Sequence, residues 1–162
     1  MERQVFTGLT PYSGFVECSD IRLLQSSISH SSTPDLPRPE NIYVSRQNTP
    51  RRALSNEQEL EGALSSNGFK VVYAEKLSLQ EQMRVFRRAT SIVAPHGAGL
   101  ANLIWSEQPC RVVEIFPHGM HNDCYARLAA SLGFRYRPIT CSPSPPAAGK
   151  ISIPAVLEAA VS

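Results

Sequence analysis

Long hydrophobic runs are missing from this sequence of 162 residues. A helix that crosses a membrane needs about 18 or more consecutive apolar residues, and no segment approaches that length. The first residues, Met1 to Gln4, are also too polar to open a secretory signal. We therefore expect a soluble chain with no membrane span.

The sequence also lacks closely spaced cysteine pairs and a large net charge. The four cysteines form no Cys-x-x-Cys pair, so neither a zinc ribbon nor a redox dithiol is indicated. We expect reduced, buried thiols, while their even number leaves disulfides open. A formal net charge of +2 is too low to indicate nucleic-acid binding. Arginine makes up 13 of the 16 basic residues, and its planar fork favours a small anionic ligand.

Three enzyme classes lack their motifs. The turn His96-Gly97-Ala98-Gly99 resembles an esterase oxyanion loop, but a hydrolase also needs a Gly-x-Ser-x-Gly elbow, and none occurs. Gly149-Lys150 lacks both the preceding glycine loop and the following Ser or Thr of a P-loop. A dehydrogenase needs Gly-x-Gly-x-x-Gly near its first strand, whereas the glycine turn here follows the third. We therefore disfavour all three classes.

The chain divides at about residue 40. Residues 1–40 form an amino-terminal extension, with a short helix predicted over Asp20 to Ile28 and a Ser/Pro-rich linker at 29–39. Residues 41–162 alternate short apolar runs with amphipathic helical patterns, which is typical of an α/β domain. At 42% hydrophobic residues, the chain can supply a core for one such domain.

The apolar runs of this domain have no alternating polar face. Such strands are typical of a parallel sheet covered by helices on both sides. The predicted fold is therefore a Rossmann-like open parallel sheet flanked by helices. The strands are predicted at Ile42–Val44, Phe69–Tyr73, Ser91–Ala94, Val112–Phe116 and near Phe134–Arg137.

Capping signals place the helices between these strands. Helices are predicted from Asn56 to Gly68, after a capping box at Ser78, after the glycine turn, after Asp123, and over Pro154–Val161. Leu79, Met83 and Phe86 are expected to be core residues of the second of these. Thr140 to Lys150 is predicted to be a Pro-rich loop.

Ligands of open parallel sheets bind outside the carboxyl ends of the strands. There the sequence places Arg46, His96 with its glycine turn, and Glu114. The free N–H groups that open the following helix suit a phosphate, which Arg46 would clamp and to which His96 would donate. Glu114 would accept both hydroxyls of a ribose. The sequence therefore predicts a nucleotide diphosphate pocket.

Structural explanations compete with these roles. A Gly-x-Gly turn is also typical of tight packing, a lone histidine is often a packed residue, and Arg46, Arg51 and Arg52 would also suit solvated loops. A zinc site is disfavoured, because no second cluster completes a tetrahedral ligand set. Its donors would be His118, His121, Asp123 and Cys124.

The order and spacing of several segments resemble glycosyltransferase family 61. The most distinctive segment is Val93-Ala94-Pro95-His96-Gly97-Ala98-Gly99-Leu100-Ala101-Asn102-Leu103, which is similar to the family's glycine motif. The resemblance covers residues 41 to about 138. It also includes Tyr43-Val44-Ser45-Arg46, Arg52 with Asn56-Glu57, Gly68-Phe69, Leu77-Ser78, Val112 to Pro117, and Tyr125 with Leu132-Gly133.

This resemblance implies one half of a GT-B architecture, in which two Rossmann-like domains face each other. The implied reaction is inverting, metal-independent transfer of a sugar from a UDP donor to a hydroxyl of a glycan or protein. Without an Asp-x-Asp motif, no Mg²⁺ or Mn²⁺ site and no cofactor are expected. His96 would stabilise the leaving group. The implied donor-binding positions are Arg46, Arg52, Gly97, Ala98, Gly99, Leu100, Asn102 and Glu114.

The resemblance also sets expectations about partners and context. An acceptor-binding domain of comparable size precedes the motif in this family, so the general base is expected from a missing domain or a partner chain. Bacterial members are associated with capsule or surface-polysaccharide assembly in the cytoplasm, and eukaryotic members with the Golgi or ER lumen behind an anchor. We expect the first setting. An exposed cleft surface would favour homo-oligomers. The alternative function is a non-catalytic nucleotide-sugar-binding module.

Overall fold

A computed structural model describes residues 18–27, 40–47, 54–107 and 109–161. Its main element is a parallel sheet of five strands in the order β2-β1-β3-β4-β5. The predicted Rossmann-like α/β fold is therefore confirmed. The strands are β1 (Glu40–Val44), β2 (Phe69–Val72), β3 (Ala89–Pro95), β4 (Arg111–Phe116) and β5 (Arg135–Thr140).

The strand order contains one reversal of direction across the sheet. From β1 the chain moves outward to β2, and it then returns to place β3 on the other side of β1. Loops leaving the carboxyl ends of β1 and β3 consequently diverge and open a crevice, which is where ligands bind in sheets of this order. The segments that leave these two strands begin at Ser45 and His96.

Helices cover both faces of the sheet. The five α-helices are α1 (Cys18–Ser27), α2 (Glu57–Ser66), α3 (Leu79–Arg88), α4 (Cys124–Ser131) and α5 (Ile153–Val161). A short 3₁₀ turn (Ala74–Lys76) follows β2, and the helix predicted after the glycine turn is a 3₁₀ helix (Ala98–Trp105). Positive φ angles at Gly68 (82°) and Gly133 (72°) follow α2 and α4, where the sequence predicted the helices to close. Among the described residues, no helix is long and apolar enough to cross a bilayer.

Two apolar layers explain why the strands lack a polar face. On one face, Ile42, Ile92 and Val112 pack with Phe86 of α3 and Leu128 of α4. On the other face, the next residue of each of these strands packs against α2 and α5. Burial on both faces requires continuous apolar runs. The residues of the second layer include Tyr43, Val93, Val113, Leu60, Leu64 and Val156.

Three local predictions need correction. Leu79 is 58% exposed, because it is the first residue of α3, although Phe86 is buried as expected. Thr140 to Lys150 is not a loop throughout but contains an antiparallel hairpin of β6 (Ser142–Ser144) and β7 (Ala147–Lys150). Asn56 stands at the start of α2 but does not cap it, since its side-chain amide pairs with the backbone N–H and C=O of Ile151 at 3.0 and 2.9 Å.

Candidate functional site

The crevice between β1 and β3 brings Arg46 against Gly97. The Arg46 Nη1 donates a hydrogen bond to the backbone carbonyl of His96 at 3.4 Å. A Cβ atom placed on Gly97 would lie 1.5 Å from that same nitrogen. Gly97 has an extended backbone (φ 161°), so its lack of a side chain serves to make room for the guanidinium.

Glu57 holds the backbone of Arg46 in this position. Its Oε1 accepts hydrogen bonds from the Arg46 N–H at 2.7 Å, the Tyr43 hydroxyl at 3.0 Å and the Ser45 hydroxyl at 3.2 Å. The carboxylate is buried at the amino end of α2, where the helix dipole favours a negative charge. Sequence reasoning identified Glu57 only as a first-turn acid and missed this role.

The opening turns of the 3₁₀ helix form the other wall of the crevice. Ala98 and Gly99 line a cavity of about 270 Å³ together with Arg46 and Asn102. A Cβ on Gly99 would approach Val44 Cγ1 to 3.0 Å, so the helix packs closely on the end of β1. The remaining lining residues are Val44, Ser45, Ala74, Glu75 and Gln82.

Asn102 fastens this helix to α3. Its Nδ2 donates to Gln82 Oε1 at 2.8 Å and to the Gly99 carbonyl at 3.2 Å. Gln82 in turn donates to the carbonyls of Ala74 and Leu77 at 3.0 and 3.1 Å. The predicted site residue Asn102 therefore lies in the crevice wall and connects three elements there.

His96 and Glu114 form a buried pair at the carboxyl ends of β3 and β4. His96 Nδ1 lies 2.5 Å from Glu114 Oε1, and Glu114 Oε2 accepts a hydrogen bond from the Tyr136 hydroxyl at 2.5 Å. The imidazole also stacks on Phe116, with 5.2 Å between ring centroids, and meets Tyr125 at 5.5 Å. These three contacts hold the ring, and none of them uses Nε2.

Burial has the largest effect on the pKa of Glu114 and on that of its partner Tyr136. Desolvation raises the pKa of Glu114, while the hydrogen bonds from Tyr136 and His96 oppose that rise. Desolvation, reinforced by the bond to Glu114, also raises the pKa of Tyr136, so its hydroxyl keeps its proton and acts as a donor. A carboxylate that accepts from Nδ1–H selects the tautomer in which Nε2 is the free nitrogen.

Two predicted ligand contacts do not fit this geometry. Glu114 has no exposed surface, and both of its oxygens are hydrogen-bonded within the protein, so it supports His96 and does not reach a ribose. Leu100 is also fully buried in the core under the crevice, and its N–H bonds to the Gly97 carbonyl at 3.0 Å. Arg52 lies outside the described residues.

The disfavoured zinc site has no structural counterpart in the described part of the chain. There, no group of three or more His, Cys, Asp or Glu side chains is placed to hold a metal ion. Asp123 pairs with Arg127 at 2.7 Å, and the ring of His121 stacks on Phe116 at 6.1 Å. All four cysteines, which are described residues, are free thiols.

Fold and site together define a parallel α/β protein with a crevice at the reversal of its strand order. An arginine and a glycine turn form the walls of this crevice, and a buried histidine–carboxylate pair lies at the neighbouring strand ends. The family model described as Glycosyltransferase 61 matches residues 5–113, which is more than half of the chain. The chain therefore belongs to glycosyltransferase family 61.

Two curated relatives agree with this assignment. The chain is 33% identical over 104 residues to the beta-1,2-xylosyltransferase XAX1 of Oryza sativa subsp. japonica, which covers 61% of this chain. It is also 33% identical over 98 residues to the EGF domain-specific O-linked N-acetylglucosamine transferase of Drosophila melanogaster, which covers 59% of this chain. Each match spans only 18% of the relative's own length.

Proposed function

We propose that this chain is the donor-binding part of a glycosyltransferase and that it holds the diphosphate of a UDP-linked sugar between Arg46 and the start of the 3₁₀ helix. Family membership supports glycosyl transfer, and both relatives are named as transferases of a sugar. The observation that carries the proposal is the contact of the Arg46 guanidinium with Gly97 in the crevice between β1 and β3.

The chemistry of this crevice suits a leaving diphosphate. The acceptor hydroxyl attacks the anomeric carbon, the bond from that carbon to the diphosphate oxygen breaks, and UDP departs with the electron pair. Arg46 would neutralise the phosphate charge as it grows, and the N–H groups of Ala98 and Gly99 would add hydrogen bonds. His96 would donate one more hydrogen bond to the diphosphate, through Nε2, when the imidazole carries its second proton. Inversion at the anomeric carbon and independence of metal ions are part of this proposal.

The acceptor and its context are also proposals. We propose a hydroxyl of a glycan or a protein as acceptor, and a general base supplied by another domain or chain. The relatives come from a plant and an insect. This favours the secretory setting, Golgi or ER lumen, over the bacterial cytoplasm and its surface polysaccharides, which become the alternative.

Calorimetric titration with UDP, with UMP as a control, tests donor binding. Arg46→Ala should weaken UDP binding by about 10- to 100-fold, because a hydrogen bond to a charged group contributes about 1.5–3 kcal/mol. Arg84→Ala, which removes an exposed arginine from α3, should leave the affinity unchanged. EDTA should have no effect on either protein.

Each of these measurements has a result that would contradict the proposal. Equal affinities of UMP and UDP, or an Arg46→Ala variant that binds UDP as the parent does, would contradict a diphosphate site at Arg46. Loss of binding in EDTA would contradict metal independence. UDP binding without sugar transfer by the protein with all of its domains would favour the alternative function, a non-catalytic binding module.

A further inference from the structure

Three side chains form a line across the sheet, from the edge strand β5 to the end of β3. Tyr136 of β5 donates to Glu114 Oε2 of β4, and Glu114 Oε1 pairs with His96 Nδ1 at the end of β3, with 2.5 Å between the atoms of each pair. Tyr136 and the strand residues beside this line pack in the apolar layer under the 3₁₀ helix and α4. Glu114 is fully buried and His96 is 7% exposed, so water competes little for these bonds.

Both oxygens of Glu114 are needed in this arrangement. If the Tyr136 hydroxyl were absent, Oε2 would be a buried acceptor without its partner. Such an acceptor attracts a proton, and a protonated carboxyl can turn its O–H towards the imidazole. His96 Nδ1 would then accept a hydrogen bond where it now donates one, and the ring proton would move to Nε2.

We propose that Tyr136 is a positioning residue, which acts through Glu114 to keep the His96 ring proton on Nδ1, so that Nε2 is the nitrogen that takes up a second proton and donates to the donor diphosphate. The link to the diphosphate rests on the proposed function. The control of the His96 tautomer does not, since it rests only on the hydrogen bonds that join the buried His96 and Glu114 and the half-buried Tyr136. Neither Glu114 nor Tyr136 falls within residues 5–113, the segment that matches the family model.

The histidine tautomer can be read directly by nitrogen-15 and carbon-13 NMR of the ring, with the His96 signals identified by their loss in His96→Asn. In the parent protein we expect the Nδ1–H tautomer and a downfield Nδ1 proton, because Nδ1 pairs with a buried carboxylate. Tyr136→Phe keeps the ring that packs in the core, so it should fold. It should show a mixture of both tautomers, and the downfield proton should disappear.

Tyr73→Phe is the matched control. It also removes a tyrosine hydroxyl from a carboxylate, Glu61 at 3.1 Å, but beside β2 at the opposite edge of the sheet. Its His96 spectrum should be that of the parent. Glu114→Gln provides a second variant of the line itself and should lose the downfield proton as well. An unchanged His96 tautomer in Tyr136→Phe would overturn the proposal, whatever Glu114→Gln shows.

UDP titration of the same variants separates the two claims. Tyr136→Phe should lower UDP affinity by about 3- to 10-fold, a change of about 0.7–1.4 kcal/mol, because the neutral Nε2–H of the other tautomer is a weaker donor to a diphosphate than an imidazolium. Tyr73→Phe should not change the affinity. A changed tautomer with parental UDP affinity would overturn the link from Tyr136 to the donor site. A parent protein that binds no UDP would refute the proposed function, and the NMR result would still decide whether Tyr136 sets the tautomer.

Discussion

At the scale of single residues, the crevice depends on one position without a side chain and one buried carboxylate. Gly97 leaves the space that the Arg46 guanidinium occupies, and Glu57 fixes the backbone from which that side chain extends. The first of these affects where a charge lies, and the second affects the stability of the fold. Substitutions at the two positions should therefore have different consequences.

Gly97→Ala should weaken UDP binding by about 10-fold and leave stability nearly unchanged. The extended backbone of Gly97 suits any residue, and the atom that a Cβ would displace is the end of a flexible side chain. Calorimetry and urea unfolding measure the two effects. Gly62→Ala is the control, because a Cβ there meets nothing within 4 Å; it should gain about 0.5–1 kcal/mol in its helix and bind UDP as before. A parental UDP affinity in Gly97→Ala would contradict this role.

Glu57→Ala should lower the free energy of unfolding by about 2–4 kcal/mol. The substitution removes the acceptor of three buried or half-buried donors, the Tyr43 and Ser45 hydroxyls and the Arg46 N–H. Urea unfolding measures the loss. Glu59→Ala removes an exposed carboxylate from the same turn of α2 and should change stability by less than about 0.5 kcal/mol. Similar losses in the two variants would show that Glu57 has no special role.

At the scale of elements, α3 is the support of the 3₁₀ helix. Its capping box joins Ser78 and Glu81 reciprocally, and Gln82 one residue later accepts the hydrogen bond from Asn102. The start of α3 therefore sets where the wall of the crevice stands. Glu81, which completes the cap, and Gln82, which supports the crevice wall, are therefore adjacent residues of the helix.

Ser78→Ala should cost about 1 kcal/mol of stability, whereas Ser78→Gly should cost only a few tenths. The alanine loses the hydrogen bond from the Glu81 N–H, and it also lacks glycine's tolerance of non-helical backbone. Thermal or urea unfolding of both variants gives the comparison. An equal loss in the two variants would show that the backbone tolerance of glycine does not offset the loss of the Ser78 hydroxyl.

Apolar runs and capping signals predicted most elements. A strand that is buried on both faces and the end of a helix can each be recognised from neighbouring residues in the sequence. The five parallel strands, the capping box at Ser78 and the last helix are confirmed. The hairpin β6–β7 was missed, because prolines conceal the strand pattern and its pairing is set by contacts across the chain, such as the Ser55 N–H with the Gly149 carbonyl at 2.9 Å.

The candidate site was predicted as a group but not in its contacts. That Arg46, His96 and the glycine turn meet follows from the rule that strand ends share an edge. The hydrogen bond from Tyr136 to Glu114 does not follow from any local rule. Tyr136 lies on another strand, and only the register of β4 with β5 brings the two residues together. The predicted ribose contact failed for this reason.

At the scale of the whole molecule, buried thiols make stability depend on pH. Burial raises the pKa of Cys110 to about 11 and that of Cys141 to about 11, against 9.0 for an unperturbed thiol. Between these values the unfolded chain has lost protons that the folded chain keeps. Folding stability is therefore greatest below about pH 9 and falls as the pH rises towards 11.

The slope of unfolding free energy against pH measures this effect. Under reducing conditions, urea unfolding between about pH 8 and 10 should show falling stability in the parent protein. The double variant Cys110→Ala, Cys141→Ala should show a flatter slope, although its stability at pH 8 will be lower. Identical slopes in the two proteins would contradict burial of these thiols.

The central claim is that a diphosphate binds where β1 and β3 diverge. Backbone amide NMR of this chain with and without UDP tests it most directly, since it maps the site without assuming an activity. We predict the largest shifts at the amides of Gly97, Ala98 and Gly99 and at the Arg46 side chain, with no change at Thr90 and Arg111 at the opposite ends of the strands. Shifts centred on those opposite ends, or no shifts in a folded protein at saturating UDP, would contradict it.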